Sequence, residues 1–210
     1  MAHEGILHSR GSVACYVIAA PTRRNPMIIG LIVLVILFIV FLYGITQFNK
    51  LRRLNLLCTG SFADIDTLLT KRADLVPNLV TTVSGAADFE KSTLEAVTQA
   101  RTAGMQAQSL EAKAEADGML TQALGKLFAV SEAYPALTAT ENFRLLQTQL
   151  AELESQLQFA RQFYNDTVVT LNTAVVTVPT MFFAGIAKVK ERPVYAEADE
   201  ARRAAPKVEF

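Results

Sequence analysis

From Asn25 to Asn49 the chain carries no charged residue, and Met27 to Tyr43 is almost wholly Ile, Leu, Val and Phe. About 20 apolar residues cross a hydrocarbon layer of roughly 30 Å, so the pattern predicts a transmembrane helix over residues 26–48. Asn25 is a good N-cap, and Pro26 suits the first helical position, where its missing donor costs nothing. The stretch that follows, YGITQFNKLRRL, offers no small-x-small cleavage site. The segment therefore reads as a retained anchor rather than a signal peptide, with a buried core helix as the alternative.

Beyond the anchor, apolar residues recur at steps of three and four. The first series is Phe62, Ile65, Leu69, Val76, Val80, Val83, Ala87, Leu94 and Val97, and its register also runs through Arg72, Glu90 and Arg101. The second runs Phe143, Leu146, Leu150, Leu153, Leu157, Ala160, Tyr164, Val168, Leu171, Val175 and Val178. Such spacing places an apolar stripe on one face of a helix. Thr138 and Glu141 fit a capping box ahead of the second series, and Pro179 stops it. A shorter helix from Gly118 to Tyr134 carries Leu120, Leu124, Leu127 and Ser131 on one side and ends at Pro135. The β-branched VVTLNTAVVTV raises a strand option, but the helical register passes through it. Residues 104–118, GMQAQSLEAKAEADG, read as a polar surface connection, partly helical or mobile.

The predicted fold is all-α, a transmembrane helix followed by an antiparallel bundle of two long helices of about 40 to 55 residues with a shorter one between. The domains are an N-terminal extension 1–25, the span 26–48, a helical bundle 49–187 and an extended tail 188–210. Pro77, within KRADLVPNLV, interrupts this pattern at a cost of roughly 3 kcal/mol in a helix interior. It marks either a kink in a continuing helix or a fresh start capped by Asp74.

Charge and cysteine usage narrow the class. Twenty basic and twenty acidic residues balance, so no nucleic-acid partner is expected. Cys15 and Cys58 flank the anchor and cannot pair within one spanning chain. Cys58 is either an acylation site or a small residue on a helix face. Residues 1–26 lack a sustained period and hold both histidines, and Met27 is a second candidate start. Arg23 and Arg24 precede the anchor, and Lys50, Arg52 and Arg53 follow it. A start at Met27 would leave only the second group and favour a cytoplasmic C-terminal domain on a single-pass cell-membrane protein.

The stretch DIDTLLTKRADLVPNLVTTVSGAADFEKSTLEAVTQAR, residues 64–101, resembles the LemA family of bacterial membrane proteins. So do LFAVSEAYPALTATENFRLLQTQLAELESQLQFARQFYNDTVVTLNT, residues 127–173, and the terminal APKVEF. The resemblance covers nearly the whole chain after Met27. It implies an N-terminal transmembrane helix and a long antiparallel bundle, with a biochemical role that is poorly defined in the family. Related members associated with magnetosome membranes suggest membrane organisation by analogy. The alanine-rich VSGAADFEK and the short FFAGIAKVKERPVY depart from the family's usual pattern.

Catalytic chemistry finds few residues to use. The bundle has no histidine and one cysteine, so Ser-His or Cys-His pairs, zinc sites and di-iron Glu-x-x-His sites lack their groups. No GxxxxGK[ST] or GxGxxG loop is present. Carboxylate chemistry through Asp64, Asp66, Glu90, Glu152 or Glu154 stays open against the reading that these acids line a solvated face. No enzyme, metal or cofactor is expected.

The stronger signal is polar residues on or beside the seams: Arg72, Asn78, Glu90, Arg101, Arg161, Tyr164, Asn165 and Asn172. Buried charge is costly unless paired, so these should meet each other. They either fix helix register or form a site for a peptide or ligand. MFFAGI, residues 181–186, is a foot on the membrane interface or ordinary bundle packing. The expected function is a membrane-anchored scaffold, partnering membrane lipid and forming a homo-oligomer or binding other membrane proteins. The alternative is an adaptor or sensor whose polar seam binds a peptide or ligand.

Overall fold

A computed structural model describes residues 26–85 and 89–196. The extension 1–25 and the tail beyond 196, with its APKVEF, lie outside the described residues. The chain forms two compact units, Met1–Leu42 and Tyr43–Phe210. Among the described residues the elements are all helices: α1 Pro26–Ser84, α2 Lys91–Gln106, α3 Leu110–Ser131, α4 Pro135–Thr138, α5 Glu141–Val176 and α6 Met181–Ala187.

In the first unit, the large apolar side chains of α1 from Met27 to Leu42 are all exposed. Among the described residues no core covers them, and α1 is long and apolar enough to cross a membrane. The alternative of a buried core helix does not describe this segment.

In the second unit, α1 and α5 run antiparallel. The Phe62 and Tyr164 rings sit 6.0 Å apart, and further along Arg72 reaches Glu154 at 2.8 Å. The α5 stripe from Phe143 to Leu171 turns inward, and Val178 at its end is exposed. Two apolar cores result. One gathers Leu51, Cys58, Ile65, Leu157, Val168 and Leu171, and the other Val76, Leu79, Val97, Leu124, Leu127 and Phe143.

Three expectations need correction. The first apolar series belongs to two helices, because α1 ends at Ser84 and α2 starts afresh at Lys91. Thr81, Thr82 and Ser84 bond back to the carbonyls of Pro77, Asn78 and Thr81, and Gly85 follows in a turn. Hydroxyls competing for backbone and a glycine end a helix that hydrophobic spacing alone would continue. The connection 104–118, read as a surface segment partly helical or mobile, is helical at both ends, in α2 to Gln106 and in α3 from Leu110, and it buries Asp117. Ser109 caps α3, its Oγ accepting from the Ala112 amide at 3.1 Å, and LEAKAEAD is rich in strong helix formers. The Thr138–Glu141 capping box is replaced by a single turn, α4, begun by Pro135, with Thr140 at the N-cap of α5 making no side-chain cap.

After α6, Lys188 adopts φ 53°, and the Val189 amide bonds the Ala184 carbonyl at 3.1 Å, closing the helix in a left-handed cap. The chain then leaves without helix, and Val189 and Tyr195 bury themselves against the bundle.

Candidate functional site

Arg72 falls where the α1 stripe demands an apolar residue, and its side chain is only 4% exposed. Such a charge must be paired or it would destabilise the fold. Its Nη1 donates to Asp117 Oδ1 at 2.8 Å and to Thr121 Oγ1 at 3.0 Å, both on α3. It also lies 2.8 Å from Glu154 Oε2 on α5. That contact is close without the alignment of a hydrogen bond, so it acts as charge attraction alone. Arg161, two turns along α5, donates to Asp117 Oδ2 and lies 3.3 Å from Glu154 Oε1. Two guanidiniums and two carboxylates thus alternate in a closed, neutral ring joining α1, α3 and α5. Burial alone would lower the Arg161 pKa; the carboxylates of Asp117 and Glu154 outweigh it and hold the pKa raised.

The tail completes the ring. Tyr195 donates its hydroxyl to Asp117 Oδ2 at 3.2 Å, and its ring lies 5.6 Å from the Arg161 guanidinium carbon. Burial, then the Asp117 charge, pushes its phenol pKa far up, so it stays a donor at ordinary pH.

Two asparagines hold the tail's backbone. Asn172 accepts from the Arg192 amide at 2.9 Å and donates to the Arg192 carbonyl at 2.8 Å. Asn165 does the same to Tyr195, at 2.7 and 3.1 Å. Seven helical residues rise about 10.5 Å and three extended residues about 10 Å, so the spacing 165/172 matches 195/192. Between the clamps, the Tyr164 hydroxyl donates to the Pro193 carbonyl at 3.0 Å, and Arg192 reaches Thr59 on α1 at 2.9 Å. Each carboxamide thus pairs with the amide and the carbonyl of one residue, as the facing residue of a neighbouring strand would.

The remaining polar residues scatter. Arg101 on α2 stays out of the ring, and its Nε donates to the Ala73 carbonyl at 2.9 Å. That carbonyl is the one Pro77, four residues on, has no amide to satisfy. Helix α1 continues through Pro77 instead of restarting at Asp74, and α2 supplies the missing donor. Asn78 is exposed. Glu90 is not a seam residue: it is exposed at the N-cap of α2, and the Ser92 and Thr93 hydroxyls bonded to its carboxylate lower its pKa. Cys58 is buried in the core, and burial pushes its thiol pKa up, away from a reactive thiolate.

Asp117, the acid at the centre of the ring, went unseen because it lay in the stretch read as a surface connection. The signal was present. Counting the α3 stripe backwards from Leu120 by three and then four lands on Asp117 and Lys113, and Lys113 pairs with Asp66. Beside the ring, a cleft of about 280 Å³ is lined by Asp66, Thr70, Arg101, Gly104, Lys113 and Asp117, among others. Among the described residues, no three His, Cys, Asp or Glu side chains converge as metal ligands would.

A sequence model of the LemA family matches residues 61–210. Magnetosome protein MamQ 2 and magnetosome protein MamQ 1 of Paramagnetospirillum magneticum are each 32% identical over 82 residues, 39% of this chain and 30% of the relative. Magnetosome protein MamQ of Magnetospirillum gryphiswaldense is 29% identical over the same length and shares. The chain thus spans under a third of the length of these curated relatives.

Proposed function

The chain belongs to the LemA family, and from that membership we propose that this membrane-associated helical protein is a non-enzymatic scaffold whose bundle binds further copies of itself. One observation carries the proposal. The inner stripes are consumed inside the chain, yet large apolar side chains off the seams stay in water. Phe159, 71% exposed, and Phe163 lie one turn apart on α5, and Leu56 and Leu57 are exposed on α1. Soluble surfaces rarely leave such aromatics uncovered unless something docks there. The relatives' description as magnetosome proteins supports a role in organising membrane. Lys50, Arg52 and Arg53 after the anchor outnumber Arg23 and Arg24 before it by one, a small bias toward a cytoplasmic bundle that a start at Met27 would enlarge. The test is the mass of the full-length protein in nanodiscs or mild detergent, by light scattering corrected for lipid. A defined oligomer that shrinks when Phe159 and Phe163 are both changed to Ser is expected; a monomer at every concentration overturns self-association.

A second reading, an adaptor that binds a peptide, rests on the asparagine clamps, which already hold an extended backbone. A peptide carrying residues 188–197 should bind a chain cut before Lys188 and lose binding on Asn165→Ala with Asn172→Ala. Equal binding to the double variant would remove this reading.

A further inference from the structure

The end of the bundle unit where α6 lies has an apolar surface that no core uses. Along α6, Ala184 and Ala187 are buried and Phe183 packs inward, while Phe182 is 67% and Ile186 70% exposed. These two stand four residues apart on one face, and Val176, Val178 and Met181, in the chain leading into α6, are exposed as well. Helix α6 turns 105° from α5, so it lies across the helix it follows.

What covers this patch is indicated by its neighbours. A Cβ on Gly44 would come 3.2 Å from the Phe183 ring, so α6 packs directly on that turn of α1. Gly44 lies inside the uncharged stretch Asn25–Asn49, and Tyr43, beside it, is exposed. Helix α6 therefore packs on a turn of α1 that belongs to this uncharged stretch. Charge agrees. Residues 43–63 and 167–190 together hold Lys50, Arg52, Arg53, Lys188 and Lys190 and not one acid. All five are exposed, which suits anionic headgroups.

We propose that α6 is an interfacial helix, its Phe182–Ile186 face sunk into the headgroup–acyl boundary of the bilayer that α1 crosses and its lysines at the anionic surface. The bundle is then seated on the membrane at a second point besides its anchor. This rests on the reading of residues 26–48 as a span, and the experiment separates the two.

The chain contains no tryptophan, so each Trp variant carries a single reporter. Phe182→Trp, Ile186→Trp, Phe159→Trp and Phe38→Trp would be made in the full-length protein. Each would be reconstituted into vesicles of mixed zwitterionic and anionic lipid, with or without bromine on the acyl chains. The expected result is loss of emission at 38, 182 and 186 with brominated lipid, strongest at 182 and 186 when bromine is shallow, and no loss at 159. Quenching at 38 alone leaves the span intact and overturns the proposal, whether emission at 182 and 186 is that of water or is blue-shifted by packing on protein. No quenching at 38, 182 or 186 removes the span reading, and the proposal with it.

Discussion

The two cores of the bundle unit use the same long helices and are held by different forces. The core around Leu124, Leu127 and Phe143 is built of apolar side chains and holds no ion pair of the ring, with Phe128 edge-on to Phe143 at 6.0 Å. The core around Leu157 and Tyr164 borders four charges and an extended tail fixed by directional bonds. Dispersion and burial reward any arrangement of about the right volume, whereas a closed ion-pair ring rewards one register. The contrast assigns stability chiefly to the first core and alignment of α1, α3, α5 and tail to the second.

The strongest blow to that contrast is Asp117→Ala. It takes from two buried guanidiniums the carboxylate they share and leaves Glu154 as the acid between them, and breaking such pairs costs about 3–5 kcal/mol. Denaturant unfolding of the bundle in detergent should read this as a fall in midpoint; a fall under a third of that would mean water already compensates the ring. Leu127→Ala leaves a cavity in the apolar core and should cost about 2–5 kcal/mol in the same assay, without altering the tail.

Those two residues also show what could be read in advance. Leu127 was legible because burial follows a period, and the transmembrane segment, the α5 stripe and Arg72's misfit all followed from that rule. Asp117 was hidden among alanines and charged residues whose helix propensity was outvoted by two flanking glycines. The break between α1 and α2 was hidden too, since the count of threes and fours resumes across it at Leu94. The clamps were half legible. Asn165 and Asn172 stood out by their spacing, but their partners are backbone groups of Arg192 and Tyr195, which no side-chain pattern announces.

Smaller changes sharpen the comparison from the tail side. Asn172→Ala leaves the Arg192 amide and carbonyl without their clamp and should cost about 1–3 kcal/mol locally, read as faster proteolysis between residues 188 and 196 with the midpoint of the apolar core unchanged. Tyr195→Phe removes one hydrogen bond and should cost about 0.5–1.5 kcal/mol. Its pH signature is more telling. The folded phenol pKa is raised above its ordinary 10.0, so this stability is fully present below pH 10.0 and is lost as pH rises through the folded value. Melting temperature followed from about pH 8 to about pH 11 should fall less in Tyr195→Phe than in the parent. A residual fall belongs to Tyr164 and Cys58, whose phenol and thiol burial also raises.

The most direct test of the ring as the unit that ties three helices to the tail is hydrogen exchange on the full-length protein. The readout is the amides of Arg192 and Tyr195, which donate to Asn172 and Asn165. The account predicts that Asp117→Ala deprotects both amides while Leu127→Ala leaves them as slow as in the parent. Equal deprotection by the two variants, or by neither, would contradict it and make the ring one more patch of core.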